Sequence, residues 1–396
     1  MKNFQKSNLM NELLTRGVDT IVSESELRTM LAGTKRLRVY LGVDPTSPVI
    51  HIGHAVVLRK LRLFQDLGHE VILLIGDFTA QIGDPTGRDI ARPPLTHKEV
   101  LANAKSYKKQ ASTILDFSSR RNPPRMLFNS KWLAKLTFKE IIELASEFTV
   151  QQMLERDMFE KRFQDGKPIY LHEFLYPLMV GYDSVAMDVD VELGGSDQLF
   201  NILAGRALQK ACNKKTKVVM TTKLLRGIDG RKMSKSFGND VSVAAAPNDM
   251  YGKLMSMSDE LIPEYFELAT HLPMDEIQLI MRERANPRDQ KMALARAVVA
   301  RFHGEGEARA AEAEFVRVFQ LKTVPSDIEK YVVKNGETLL DIVVNSGLVS
   351  SRGEGRRKIA EGAVKMNNGK HTDPFEKVQV SGDTILKLGR HFRRLK

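Results

Sequence analysis

Residues 37–75, LRVYLGVDPTSPVIHIGHAVVLRKLRLFQDLGHEVILLI, carry the pattern that decides the fold. The apolar run at 37–43 reads as a buried strand, and DPTSPV after it is rich in turn formers. From Gly53 to Leu67 the apolar positions Val57, Leu58, Leu61, Phe64 and Leu67 follow helical spacing, and Gly68 is a natural stop. VILLI at 71–75 is a second buried strand, bounded and strand-sized. Strand, helix and strand joined by short connections predict a parallel α/β sheet.

Working outward, residues 76–94 hold too many turn formers for regular structure, and residues 97–185 read as mostly helical. Thr137 with Glu140 three residues later is a capping-box signature opening the helix TFKEIIELASEF. DVDVEL at 188–193 returns to strand character, GGSDQ forms a tight loop, LFNILAGRALQKA is a helix, and KVVMTT at 217–222 is a strand. A glycine-punctuated loop, RGIDGRKMSKSFGN, follows. Residues 241–320 are helical and more polar, and 321–336 is a linker. Beyond it come a helix stopped at Gly347, a basic helix around GRRKIAEG, and short strands at 363–367, 377–380 and 384–388. The expected organisation is a domain at 1–240 with a helical insertion at about 90–185, a helical domain at 241–320, the linker, and a small α+β module at 337–396.

Composition narrows the function classes. The 396 residues are 42% hydrophobic and 28% charged, which fits a packed globular chain rather than disorder. No apolar run approaches the roughly 20 residues that span a bilayer. MKNFQKSNLM lacks an apolar core after its lysines, which argues against a secretory signal. A single cysteine, Cys212, excludes an internal disulfide framework and fits the reducing cytoplasm. The net charge of +11 is uneven, since residues 351–396 alone carry +7. A concentrated basic tail is the footprint of a polyanion partner, though a solubilising surface has the same composition.

Two motifs carry chemistry. His51-Ile52-Gly53-His54 lies after a strand and opens a helix, where unpaired N–H groups attract phosphate. Gly53 lets a flat base approach the backbone, and the histidines donate to phosphate oxygens. Lys232-Met233-Ser234-Lys235-Ser236 sits in the glycine-punctuated loop, with lysines placed to neutralise charge that develops on a polyphosphate. Alone, the first also reads as a helix cap and the second as a solvated basic loop. Together, in this order and about 180 residues apart, they are highly specific.

The pair resembles the signature of class I aminoacyl-tRNA synthetases, and its surroundings are similar to the bacterial tyrosyl-tRNA synthetases. The similar stretches are Tyr40 to Thr46, Gly83 to Arg88, Tyr176 to Asp183 and Gly194 to Gln198. The likeness runs from about residue 37 to 240, and the tail from about 337 resembles a small RNA-binding module shared with a ribosomal protein. The resemblance implies a Rossmann-like nucleotide-binding domain that joins L-tyrosine to tRNA(Tyr) with ATP as substrate. Tyr40 and Asp183 would meet the phenol hydroxyl, Asp84 and Tyr176 the ammonium group, and Thr79 would line the same pocket. Gly42, Asp44, Gly195, Asp197 and Gln198 would line the adenylate and the tyrosine carboxylate. His51 and His54 would meet ATP, Gly53 beside them, and Lys232 and Lys235 would stabilise departing pyrophosphate. Asn129 corresponds more loosely. Mg2+ is expected with the ATP, without a protein ligand legible here. A homodimer formed through the insertion is implied as well, with no membrane and no DNA among the partners.

The chain departs from the family where Val180 replaces the usual Gln, whose amide helps bind the amino group. A lost hydrogen bond to a charged group costs roughly 1.5–3 kcal/mol, or about ten- to a hundredfold in affinity. The outcomes are a weakened enzyme, a compensating partner, or an altered amino-acid choice. Arg88 stands where relatives often have Lys and keeps the charge. Two other readings stay open: a tryptophan enzyme, opposed by Tyr40, Asp183 and the GGSDQ loop, and an RNA-binding protein on a retired scaffold, opposed by the intact His51, His54, Lys232 and Lys235. Cys212 reads as packing, MYGKLMSM at 250–257 as core or interface filler, and the other seven histidines lack ligand spacing.

Overall fold

The computed structural model describes residues 2–86, 95–155, 157–320, 328–334, 336–367, 369–380, 384–389 and 391–396. Gly87 and Arg88, and 321–327 and Asn335 of the expected linker, lie outside the described residues. The chain divides into two compact units, 1–311 and 312–396.

The first unit is built on a six-stranded sheet. Its strands are β1 (Val18–Val22), β2 (Arg38–Val43), β3 (Glu70–Ile75), β4 (Arg125–Phe128), β5 (Val191–Gly195) and β6 (Val218–Thr222), in the spatial order β1-β6-β5-β2-β3-β4. The five strands from β6 to β4 are parallel, and β1 pairs antiparallel with β6 at the edge. Val71 to Ile75 are at most 1% exposed, so both faces of β3 are covered and the run is continuously apolar rather than alternating. Between β2 and β3 runs the helix α1 (Ile52–Asp66), which buries Ala55, Leu58, Leu61 and Phe64 against the sheet. Gly68 ends it in a left-handed turn at φ +92°. The strand order reverses between β2 and β5, with β3 and β4 on one side and β6 on the other. The carboxyl ends of strands at such a switch point flank a crevice that backbone loops leave open.

Among the described residues of the expected insertion, the one strand is β4, set between helices. RMLF offers four residues and no clear period, too short to separate from the surrounding helices, yet it extends the parallel sheet by backbone pairing with β3. Thr137 and Glu140 form the capping box, their side chains bonding each other's backbone N–H at 3.3 and 2.7 Å. Leu171–Met187 forms α2 and Leu199–Asn213 forms α3, which pack together where Gly181 meets Gly205. The strand expected at 188–193 begins at Val191, because Asp188 caps α2 with φ +47°.

The second unit pairs helices Leu339–Asn345 and Arg352–Ala360 with a five-stranded sheet. Its strands are β7 (Lys330–Tyr331), β8 (Val364–Met366), β9 (Gly369–Lys370), β10 (Thr384–Leu388) and β11 (His391–Leu395), in the order β7-β11-β10-β8-β9. Leu339, Leu340, Ile342, Val343, Ile359, Val364, Leu386 and Leu395 form its core. The strand expected at 377–380 is not formed; a single bridge joins Lys377 to Thr338. Val378 and Val380 still pack on the core, so the alternation there reports burial without pairing. The polar HFRRL at 391–395 is instead the partner of β10, through backbone bonds that composition does not reveal. Among the described residues, no helix is long and apolar enough to cross a membrane.

Candidate active site

At the switch point a cavity of about 580 Å3 opens beside the ends of β2 and β5. Every residue singled out above for the site lines it except Lys235. Lys235 is exposed on a one-turn 3-10 helix, Lys235–Phe237, beyond the wall formed by Lys232 and Met233.

The closed end is set by β2 and α2. Tyr40, 1% exposed, places its hydroxyl 2.9 Å from Ser184 Oγ. Asp183 accepts from Trp132 Nε1 at 2.7 Å and from Asn129 Nδ2 at 3.2 Å. Burial pushes the Asp183 carboxyl above the usual carboxylate range, opposed by these two N–H groups, which favour the ionised form. Burial also raises the Tyr40 hydroxyl, with the nearby charges of Glu192 and Asp183 adding to it. The closed end presents a neutral phenol beside a carboxyl group that already accepts two bonds. That pairing suits a ligand hydroxyl that both donates and accepts.

Midway along, Asp44 accepts from Thr79 Oγ1 at 2.6 Å and from Tyr176 Oη at 2.9 Å. Gly76 permits this approach, since a Cβ there would lie 1.9 Å from Asp44 Oδ1. Asp84 accepts from Gln198 Nε2 at 2.8 Å, and Gln198 Oε1 accepts from Asn201 Nδ2 at 2.9 Å. Asp44 and Gln198 thus bond directly to the residues expected around the ammonium group, and Val180 lines the same wall. Asn129 joins the two regions by donating to both Thr79 Oγ1 and Asp183.

The open end carries the two motifs. The rings of His51 and His54 lie 3.8 Å apart, His54 Nδ1 accepts from the His51 N–H at 3.3 Å, and His51 Nδ1 is buried without a protein partner. Burial, then the neighbouring His54, lowers the His51 imidazole to about 2; burial lowers His54 to about 4 against the pull of Asp197 and Asp240. Both rings are therefore neutral near pH 7, each with one N–H to donate. Gly53 faces the cavity at the first turn of α1. Gly42 lies at the end of β2, and Gly195 closes β5 just before Asp197. Lys232 Nζ reaches across to Asp197 Oδ2 at 3.0 Å. The loop behind it is held by Asn239, which accepts from the Ser234 N–H at 2.8 Å and donates to Asp229 and to the Lys232 carbonyl.

The sequence reading missed Ser184, Glu192 and Lys217 under Tyr40, Trp132 on Asp183, and Asn239 behind the lysine loop. One signal for two of them was present: Glu192 and Lys217 are charged residues set in or beside runs that read as buried strands.

The cavity at the switch point of the parallel sheet thus holds Tyr40 and Asp183 at one end and the paired histidines and Lys232 at the other. The family profile "tRNA synthetases class I (W and Y)" matches residues 32–320, and "Tyrosine--tRNA ligase SYY-like C-terminal domain" matches residues 320–386. The tyrosine–tRNA ligase of Moorella thermoacetica is 49% identical over 394 residues, covering 97% of this chain and 94% of that protein. Tyrosine–tRNA ligase 2 of Vibrio cholerae is 47% identical, covering 96% and 97%. Among solved structures, the C-terminally truncated mitochondrial tyrosyl-tRNA synthetase of Aspergillus nidulans matches with a TM-score of 0.66 at 26% identity, covering 79% of this chain and 94% of that one. The chain belongs to the tyrosine–tRNA ligase family of class I tRNA synthetases.

Proposed function

We propose that the cavity activates L-tyrosine with ATP and that the enzyme then charges tRNA(Tyr). The tyrosine carboxylate attacks the α-phosphate in line, giving tyrosyl-adenylate and pyrophosphate. A ribose hydroxyl of the 3′-terminal adenosine then attacks the tyrosyl carbonyl, and AMP leaves. No covalent enzyme intermediate is required, so the protein contributes positioning and charge stabilisation.

The observation that carries this reading is the Tyr40–Asp183 pair at the closed end of a cavity whose open end holds His51, His54 and Lys232. A ligand without a ring hydroxyl would forgo the further bonds that the Tyr40 hydroxyl and the remaining Asp183 lone pairs can make. Asp84, Tyr176 and Thr79 hold the ammonium group, with Asp44 and Gln198 fixing their orientation. The apolar Val180 is tolerated because Tyr176 and Asp84 are already oriented by these bonds. Gly42, Gly53 and Gly195 let the adenylate lie against backbone, and Asp197 lines the same stretch. His51 and His54 donate to ATP, and Lys232 and Lys235 meet the pyrophosphate. Mg2+ travels with the triphosphate as part of the substrate, and no side chain is assigned to it.

Residues 1–240 form the catalytic domain, and 241–320 face the anticodon region. The basic module at 337–396, of the ribosomal-protein RNA-binding type, adds tRNA phosphate contacts that weaken with salt. The enzyme works in the cytoplasm as a homodimer. Exposed Phe138, Ile142, Val150 and Phe163 on the insertion support that assembly.

Amino-acid-dependent ATP–pyrophosphate exchange without tRNA tests the reading across the standard amino acids. Exchange with tyrosine alone is expected. Exchange with a different amino acid would overturn the pocket assignment, and none at all from folded, tRNA-binding protein would favour the retired scaffold.

A further inference from the structure

Beneath Tyr40 lies a charged pair that the reaction does not use. Lys217, immediately before β6, is 0% exposed, and Glu192 on β5 is 3% exposed. The two form an ion pair, and Lys217 Nζ also donates to Ser184 Oγ. Ser184 Oγ is in place to donate to Glu192 Oε2 at 3.0 Å and stands 2.9 Å from the Tyr40 hydroxyl, which also faces Glu192. Gly205 leaves room for the ammonium group, since a Cβ there would lie 2.4 Å from Nζ. A buried ion pair is often no more stabilising than apolar packing of the same volume, so stability alone does not account for it.

Counting protons shows what the pair does. Ser184 has one proton and two oxygen neighbours, the Glu192 carboxylate and Tyr40. If Glu192 is left to draw protons from its neighbours, Tyr40 donates inward, to Ser184 or to Glu192 itself, and shows the cavity only lone pairs. Asp183, whose oxygens accept from Trp132 and Asn129, presents lone pairs there too. A phenol hydroxyl has a single proton and would meet one acceptor with no hydrogen between them. If Lys217 satisfies Glu192 and donates to Ser184, the Ser184 proton is free for Tyr40. The Tyr40 proton then points into the cavity, which offers one donor and one acceptor, the match for a phenol hydroxyl.

We propose that Lys217 is a positioning residue for tyrosine recognition, acting through Glu192 and Ser184 to make the Tyr40 hydroxyl a donor toward the substrate. The proposal rests on the tyrosine-activating reading above.

The test is ATP–pyrophosphate exchange by the full chain with two amino acids, tyrosine and 4-aminophenylalanine, whose amine carries two protons and suits two acceptors. In Lys217→Met the unpaired Glu192 reclaims the Ser184 proton. The tyrosine kcat/KM should fall by about tenfold or more relative to 4-aminophenylalanine, with the KM for ATP unchanged. Adding Glu192→Gln should restore the ratio, because the amide can donate to Ser184 in place of the ammonium. Equal losses for both amino acids would reduce Lys217 to a structural role and overturn the proposal. If Lys217→Met does not fold, the doubles E192Q/K217M and E192L/K217M decide. Neither double leaves a carboxylate to claim the Ser184 proton, so a wild-type ratio in both supports the proposal and a lowered ratio in either refutes it. Wild-type enzyme that fails to exchange with tyrosine would instead bring down the underlying reading, and this inference with it.

Discussion

Tyr40 and Asp183 at the closed end of the cavity are 1% and 3% exposed, and each is bonded to neighbours that are themselves held. At the open end the Lys232 side chain is 57% exposed, with Asp197 as its cavity partner, and Lys235 projects outside the lining altogether. On the reading proposed above, hydroxyl recognition has to be in place before the substrate arrives, and its groups are buried and already bonded. On the same reading, neutralising a departing pyrophosphate is needed only as charge develops, so the lysines proposed for it can wait in solvent. Under that proposal the difference separates groups that choose the substrate from groups that accelerate its reaction.

The largest effect should come from the open end. Lys235→Ala is expected to lower kcat for adenylate formation by about a hundredfold to a thousandfold while the tyrosine KM stays nearly constant. An unchanged kcat in exchange assays would break the comparison and leave Lys235 the bystander that its resting position suggests. At the closed half, Val180→Gln restores a polar wall beside Tyr176 and Asp84. It should lower the tyrosine KM by about threefold to tenfold and leave kcat unaltered. A shift in kcat instead would mean that this wall takes part in the chemistry.

The smallest effect concerns pH. His51 and His54 are held at about 2 and about 4 in the folded chain, against about 6.5 when unfolded. Between about pH 6.5 and 4 the unfolded chain binds more protons. The stability from keeping these rings neutral is therefore full above about 6.5 and drains away as pH falls toward the folded values. His69 and His271, lowered by burial to about 4 and about 3, contribute in the same direction. Thermal unfolding at pH 7.5 and 5 should show a drop in Tm that His54→Asn partly flattens. An equal drop in that variant would remove the His54 ring from the account.

Much of this site was legible before any coordinates. The histidine and lysine motifs stood out by residue type and order, and Tyr40, Asp84, Tyr176 and Asp183 were implied by the resemblance of short stretches to the synthetase family. Of His51, His54, Lys232, Lys235 and these four, all but Lys235 line one cavity. The helix at 52–66 was legible because burial on one face leaves a 3.6-residue period. The strand at 125–128 was not, because four residues carry no period to separate them from helix. In the tail, HFRRL pairs as a strand while KVQV does not, since ladder bonds join backbone atoms whatever the side chains are.

By itself, then, the sequence determined the parallel α/β core and the histidine and lysine motifs, because each is written in neighbouring positions, and resemblance of short stretches supplied the residues expected at both ends of the cavity. The tertiary structure alone decided which groups share protons. Tyr40 meets Ser184 across 144 positions, and Lys217 meets Glu192 across 25. No local period encodes such a meeting; it exists only after the strands have taken their order in the sheet and α2 has packed across them.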